Sequence, residues 1–331
     1  MNNDRIQEIL DLMEEARLDY FLISDPQSIA YCTGYYNDPH ERMFVFMVSK
    51  HGNHTLFMND LFYLEHDLDV NIVWHKDGQD AIQTIVDEMH FPGRIGIDKN
   101  WASHFLLDLM KKLPDAKYIN ASPCVDLVRM KKDLQEQVLM IESSKINDAV
   151  MEEIIPFIQE GVTEKQLAKK LDELFFNHHS TCYGAIVAFG KNAADPHHEN
   201  DDTPLRKGDC VLIDMGCVYK GYCSDMTRTF FYEGILEEEI KVYEIVKKAN
   251  EAAEAMIKPG VKLSDIDKCA RKVISDEGYG KYFTHRLGHF IGRDVHEYGD
   301  VSSVNEMEVE EGMIFSIEPG IYLEGNFGVR V

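Results

Sequence analysis

The sequence has no C-x-x-C pair, and its cysteines (Cys32, Cys124, Cys182, Cys210, Cys217, Cys223 and Cys269) number seven, an odd count. That pattern speaks against a zinc or redox motif and against a closed disulfide framework. Several of them lie inside apolar, strand-like runs such as "CVLIDMGCVY", which points to buried free thiols in a reducing compartment. No apolar run approaches the ~20 residues a membrane helix needs. The first residues, "MNNDRIQEILDLMEEARLDY", lack the basic start and apolar core of a signal peptide. The expectation is a cytoplasmic protein. Positive charge is also scarce: 34 Lys and Arg stand against 58 Asp and Glu, a net charge of −24. Nucleic acid and anionic membranes are therefore not expected as partners, while carboxylates are left available for hard cations.

What is present is an ordinary globular balance, 44% apolar and 28% charged over 331 residues, long enough for two domains. Ile6, Ile9, Leu10 and Met13 follow helical spacing, and "YFLIS" then reads as a buried strand. "MFVFMVS", "HTLFM", "NIVWH" and "RIGID" are further strand candidates, with helical stretches at 79–90 and 101–112. This alternation predicts an α/β domain over 1–125. A helical segment over 126–158 is expected to connect it to a domain over 159–331. There the helix "TEKQLAKKLDELFF" and the strand "GAIVAFG" come first. Two β-rich runs at 209–219 and 222–232, joined at "KGY", follow, and helices come next at 236–257 and 263–276. Strands and helices segregate here, which predicts α+β. The "EEEI" and "EVEEG" runs read as solvated faces, "RMKK" at 129–132 as a salt-bridge partner for the acidic surface, and Trp74 and Trp101 as packing of the first domain.

Four places carry chemistry. Asp214 in "VLIDMG" and Asp225 in "YCSDMTRTF" are carboxylates in apolar strand contexts, where an unpaired charge costs several kcal/mol. A tight connection around Gly221 could set them side by side; backbone amides or Arg228 could equally hold them. His285, His289 and His296 crowd into "THRLGHFIGRDVHEYG" among glycines. Glu318 in "SIEPGIY" is again a carboxylate on an apolar run. Two Asp, a His and a Glu provide mixed oxygen and nitrogen ligation for a divalent metal. Carboxylates so crowded repel unless cations bridge them, and that charge count suits two metals sharing a hydroxide. His197 in "NAADPHHEN" could donate to a reacting carbonyl.

In order and spacing, "DPHHE", "VLIDMG…GYCSDMTRTF", "HRLGHFIGRDVHE", "IEPGIY" and "GVR" resemble the pita-bread metallopeptidases, in the branch of the Xaa-Pro dipeptidases (prolidases) and proline aminopeptidases. The motifs cover 183–331, and the first 125 residues resemble the creatinase-type N-terminal domain of the same proteins. The resemblance implies an α+β pita-bread catalytic domain holding two divalent ions, manganese first, with cobalt or zinc also acceptable. Asp214 would be a terminal ligand and Asp225 a bridging one. His289 and Glu318 would complete the second metal, with Glu318 also taking the nucleophile's proton. His197 and His296 would orient the scissile carbonyl and the proline, and His285 would stand outside the metal shell. Thr227 and Tyr322 match positions that support the ligands, and Arg330 belongs to the same supporting set.

One departure stands out. In the family "GVR" runs on as Arg-Ile-Glu, whose Glu is the second bridging ligand, whereas this sequence stops at Arg330 and Val331. The expectation is a shortened sequence lacking the last strand rather than a lost ligand.

The resemblance implies hydrolysis of Xaa-Pro dipeptides by a metal-held hydroxide, in a homodimer. Some prolidases place an arginine just after the histidine that matches His296, but "HEYGDV" has none, so Arg293 is the candidate for the substrate carboxylate. Asp38, His40, Glu41 and Arg42 in "YYNDPHERMF" look like a loop that in such prolidases reaches the partner subunit's site. Together, loop and Arg293 would restrict the site to dipeptides. The alternatives are an aminopeptidase acting on longer peptides, a non-catalytic pita-bread binding protein, and a metal-free amidinohydrolase, which would not need the four ligand positions.

Overall fold

The computed structural model describes residues 1–331 as two compact units, Met1–Arg129 and Met130–Val331. The first is built on one six-stranded sheet. In chain order its elements are α1 (Asn3–Glu15), β1 (Tyr20–Ile23), α2 (Pro26–Thr33), β2 (Val45–Ser49), β3 (Thr55–Asn59), β4 (Asn71–His75), α3 (Ala81–Glu88), β5 (Arg94–Ile97), α4 (Ser103–Lys112), β6 (Lys117–Asn120) and α5 (Pro123–Met130). The strand order is β4-β3-β2-β1-β5-β6. Successive side chains point to opposite faces. Phe21, Ile23, Phe46, Val48, Leu56 and Met58 fill one core, and Tyr20, Leu22, Val45, Met47 and Phe57 fill the other. Burial on both faces explains why these strands appear as continuous apolar runs rather than as alternating ones.

The α/β pattern expected for this region is the one observed, with two differences. The short helix α2 and the strand β6 go unsignalled, because α2 is buried nearly all round and so has no single apolar face, and β6, "KYIN", is half polar. Of the two tryptophans, Trp101 is buried and packs into the core, but Trp74 is 44% exposed. The β4 strand carrying it ends the sheet, so one face of that side chain meets water.

The second unit contains α6 (Leu134–Ile154), α7 (Glu164–Asn177), β7 (Thr181–Cys182), β8 (Ile186–Phe189), β9 (Cys210–Met215), β10 (Cys217–Tyr219), β11 (Tyr222–Cys223), β12 (Met226–Phe231), α8 (Glu237–Glu254), α9 (Leu263–Asp276), β13 (Gly288–His289), β14 (Asp300–Val301), β15 (Gly320–Leu323) and β16 (Phe327–Arg330). Strands β12-β9-β8 form one small antiparallel sheet and β11-β10-β7 another; β13-β14 and β15-β16 are two-stranded ladders. Capping boxes start α6 at Asp133 and α7 at Thr163, in each case with a Glu or Gln three residues on. The core is made by Val150, Ile154, Leu167, Leu171 and Phe175 of the helices against Val187, Phe189, Val211, Ile213 and Met215 of the strands.

The hairpin between β10 and β11 turns on Lys220 (φ 49°) and Gly221 (φ 81°). Two consecutive left-handed residues match the twist of the flanking strands. This is the tight connection read at "KGY", and β9 and β12 run back alongside each other beyond it.

All seven cysteines are free; Cys182 and Cys269 are half-buried and the other five buried. No helix is long and apolar enough to cross a membrane. The basic run 129–132 pairs with carboxylates, but not only at the surface. Lys131 meets Glu310 there, whereas Arg129 (on Asp25) and Lys132 (on Glu297) are buried. The "EEEI" run is likewise only partly solvated, because Glu239 is buried and its carboxylate caps the Leu236 amide at the start of α8.

Candidate metal centre

The strand register dictates the first pair of carboxylates. Asp214 sits in β9 opposite Thr227 of β12, and Asp225 lies one residue before β12 begins. Asp214 is not held by Arg228, which turns instead to the Thr227 carbonyl. The guanidinium on Asp214 belongs to Arg330, at the end of β16. Arg330 also donates from Nε to Thr227 Oγ1 (3.1 Å) and from Nη1 to Tyr322 Oη (3.2 Å) and the Pro196 carbonyl (3.2 Å). Burial works against the charge of Arg330, but Tyr322 and Asp214 outweigh it and hold the guanidinium protonated.

The second pair comes from two chain segments that run side by side. The Ser316 amide donates to the His289 carbonyl (2.8 Å), the Glu318 amide to the Leu287 carbonyl (2.8 Å), and the His289 amide to Ser316 Oγ (3.0 Å). The segments approach so closely that a Cβ on Gly288 would lie 1.9 Å from the Ser316 carbonyl oxygen. Only glycine is tolerated before His289. Glu318 therefore precedes β15 rather than lying within a strand, as its apolar context suggested. Ser316 Oγ donates to Glu318 Oε1 at 2.9 Å.

These elements bring His289 Nε2 to 3.2 Å from Asp225 Oδ2 and 3.3 Å from Glu318 Oε1. Its Nδ1 lies 3.2 Å from the Phe290 carbonyl oxygen. A carbonyl only accepts, so Nδ1 carries a hydrogen and Nε2 is the atom turned toward the two carboxylates. Without metal a proton on Nε2 offsets the repulsion between them, and a divalent cation at Nε2 would take the place of that proton. The titration shifts express the same tension. Burial opposes protonation of His289, but Asp225 and Glu318 overcome it and hold the imidazole above its ordinary value. Burial pushes the Asp214 carboxyl up to about 6, opposed by Arg330 and reinforced by Asp225 and Glu318. Burial also raises Glu318, with His289 opposing and Asp225 adding to the rise. A set of three half-buried carboxylates and one buried imidazole fits a divalent cation.

The histidines outside this set lie on irregular segments. His296 is exposed, and its ring packs edge-on against His289 with centroids 4.1 Å apart. The partial burial of its ring against the site, followed by His289 and Arg286, lowers its pKa. His285 Nε2 lies 2.8 Å from Tyr322 Oη, and burial drives this imidazole down to about 4. His197 is exposed, on the loop after β8, close enough to His285 and His296 to depress both electrostatically. Tyr322 is buried, and burial raises its phenol.

The remaining candidates are placed as follows. The Arg293 guanidinium lies over the Tyr222 ring, 5.4 Å from its centroid, and against the Gly221 turn. In the first unit, Arg42 forms a two-pronged pair with Asp77 (3.0 and 2.9 Å) and also meets Glu41. His40 takes a left-handed backbone (φ 51°) beside Asp38, whose Oδ1 accepts its amide.

Several supporting residues went unread in the sequence. Tyr183, whose hydroxyl donates to the Ser224 carbonyl (2.8 Å), is raised by burial and by Asp225 and Asp214. The buried pairs Lys132–Glu297 (2.8 Å) and Arg271–Asp267 (2.6 Å) flank the His296 and His285 segments. Glu164, His198 and Asp201 form a separate close group at the start of α7. Glu297 and His198 stand next to His296 and His197 in "HEYG" and "DPHHE", and that adjacency is the one signal the sequence offers for them; their partners lie far away in sequence.

This geometry agrees with what comparison finds. Residues 138–331 match metallopeptidase family M24, and residues 5–131 match the creatinase/prolidase N-terminal domain. An "uncharacterized peptidase" of Staphylococcus aureus is 34% identical over 336 residues, covering 99% of this chain and 94% of the relative. Among solved structures, a dipeptidase from Pyrococcus horikoshii superposes with a TM-score of 0.92 at 36% identity, over 99% of this chain and 93% of that one. A prolidase from Thermococcus sibiricus does so with 0.94 at 33%, over 100% and 93%. The strands that bring Asp214, Asp225, His289 and Glu318 together are thus those of a pita-bread domain behind a creatinase-type domain, and the chain belongs to metallopeptidase family M24.

Proposed function

We propose that the chain is an Xaa-Pro dipeptidase, with Asp214, Asp225, His289 and Glu318 holding a pair of divalent cations, manganese first. The observation that carries the reading is the convergence of His289 Nε2 with Asp225 and Glu318 at 3.2 and 3.3 Å. The resemblance to solved structures described as a dipeptidase and a prolidase supports the substrate class. When bound, the metal supplies Lewis acidity to the scissile carbonyl and makes a water acidic enough to give a nucleophile near neutral pH.

The chain's own residues do the rest. Glu318 takes the proton of the attacking water. His296 and His197, exposed beside the half-buried carboxylates, donate hydrogen bonds to the carbonyl oxygen as negative charge develops on it. Arg330 fixes the geometry by tying Asp214, Thr227, Tyr322 and the Pro196 carbonyl to one guanidinium. His285 holds the Tyr322 hydroxyl. Arg293 is assigned the carboxylate of the substrate's proline, as a planar two-donor partner.

The test is an assay of the 331-residue chain on Leu-Pro and Leu-Pro-Pro, loaded with Mn²⁺ and with a chelated control. The reading expects chelator-sensitive cleavage of Leu-Pro alone. Cleavage of the tripeptide would move the assignment to an aminopeptidase, and inertness toward both peptides in a metal-loaded chain would favour the non-catalytic binding protein.

A further inference from the structure

His197 has no regular element to hold it. It lies between the strand end at Phe189 and the loop residues around Asp201, and its own amide donates only to Asp195 Oδ1 at 3.0 Å. Arg330 holds the Pro196 carbonyl, and the Asn200 side chain bonds the Val187 amide and the Ala185 carbonyl, but the anchor that spans the loop is a carboxylate from another element. Glu164 is the first residue of α7 and has no solvent exposure. Its Oε1 accepts the Phe189 amide (2.8 Å) and Asn192 Nδ2 (3.0 Å); its Oε2 accepts the Asp201 amide (3.0 Å) and His198 Nε2 (2.6 Å). The partners thus lie on both sides of His197, and one is its immediate neighbour.

The closeness of Glu164, His198 and Asp201 suggests a cation site. The hydrogen bonding argues otherwise. A carboxylate has about four lone-pair sites, and in Glu164 each already meets an N–H donor. A cation would have to displace these donors, among them the amide of the buried Phe189, at the cost of leaving that group unsatisfied.

We propose that Glu164 is the positioning residue for His197: its buried carboxylate closes the 189–201 loop from both ends, and His198 is the part of that contact nearest the working imidazole. The inference rests on the reading of His197 given above. Glu164 touches neither substrate nor metal; it acts by where it puts another side chain. A displacement of about 1 Å in such a group is enough to cost on the order of a hundredfold in rate.

Two measurements test it, one without activity. Amide hydrogen exchange on the metal-free chain should show the 189–201 segment losing about tenfold or more of its protection in Glu164→Gln, where an amide replaces an oxygen that accepts two donors. Unchanged protection there overturns the proposal. The second is a double-mutant cycle on Leu-Pro hydrolysis at constant metal content. Glu164→Gln should lower kcat about tenfold or more with little change in KM, and should have almost no further effect in a His197→Ala background. Equal fold losses in both backgrounds would make Glu164 a general structural residue and overturn the proposal, leaving the role of His197 standing. Wild-type kinetics in His197→Ala alone would overturn both. If Glu164→Gln does not fold, His198→Ala and His198→Gln carry the same cycle. The alanine should reproduce the loss and the glutamine, whose amide can still donate to Glu164, should restore most of it; equal losses contradict the proposal.

Discussion

The two halves of the site are built in different ways. Asp214, Asp225, His289 and Glu318 are placed by strand pairing, in or directly beside β9, β12, β13 and β15. His197, His285 and His296 lie on irregular segments, and each has a buried or half-buried ion pair close by: Glu164–His198, Asp267–Arg271 and Lys132–Glu297. Arg271 also donates to the carbonyls of Phe283 and His285, while Asp267 accepts the Leu287 amide, so that pair clamps its segment through the backbone. The Glu297 carboxylate similarly accepts the Arg293 amide at 2.9 Å. A ladder positions its residues through bonds the backbone makes anyway. A loop needs anchors of its own, and buried charges give direction in return for desolvation.

That contrast can be broken at either half. The largest effect is expected from the strand-borne set: Asp225→Asn should abolish binding of one or both metals and lower kcat by about a thousandfold or more, since several kcal/mol of transition-state stabilisation go with the metal. Metal analysis beside the rate separates this from misfolding. Next comes Lys132→Met, which strands the buried Glu297 carboxylate and should destabilise by about 3–5 kcal/mol in urea titrations. Adding Glu297→Leu should recover most of that loss, and a double variant as unstable as the single would show that the pair is not the anchor.

A smaller effect lies in pH. Burial holds the folded His285 at about 4, below its ordinary 6.5. The unfolded chain therefore binds more protons between these values, and the stability this group contributes is present above about 6.5 and lost as pH falls toward 4. The loss amounts to about 3 kcal/mol. His285→Gln should flatten the stability profile in that window relative to wild type; parallel profiles would refute it. The smallest effect is expected from Arg293→Ala, a severalfold rise in KM for Leu-Pro that exceeds any rise for a tripeptide. Equal rises for both would remove Arg293 from carboxylate recognition.

The same contrast explains what could be read in the sequence. The carboxylates at Asp214, Asp225 and Glu318 are conspicuous because their neighbours are apolar, and "KGY" marks a hairpin. Two-faced burial also makes β1, β2 and β3 legible as apolar runs. The anchors are not legible in this way. Glu164 reads as an ordinary acidic residue in the first turn of a capped helix, where acids are favoured for reasons of their own. Lys132 reads as part of a surface basic run, and its partner lies 165 residues on. Arg330 was assigned to the supporting set, but its pairing with Asp214 depends on β16 returning beside β9, a non-local contact that no spacing announces. Trp74 is exposed against expectation because its strand ends the sheet, and position in a sheet is a property of topology.

The central claim is that a cation belongs between His289, Asp225 and Glu318, and calorimetric titration of the metal-free chain with Mn²⁺ tests it most directly. The account predicts binding by the wild type and by Asp201→Asn, and its loss in both Asp225→Asn and His289→Gln. Binding that survives in the latter two and disappears in Asp201→Asn would place the ion at Glu164 and His198 and contradict the account.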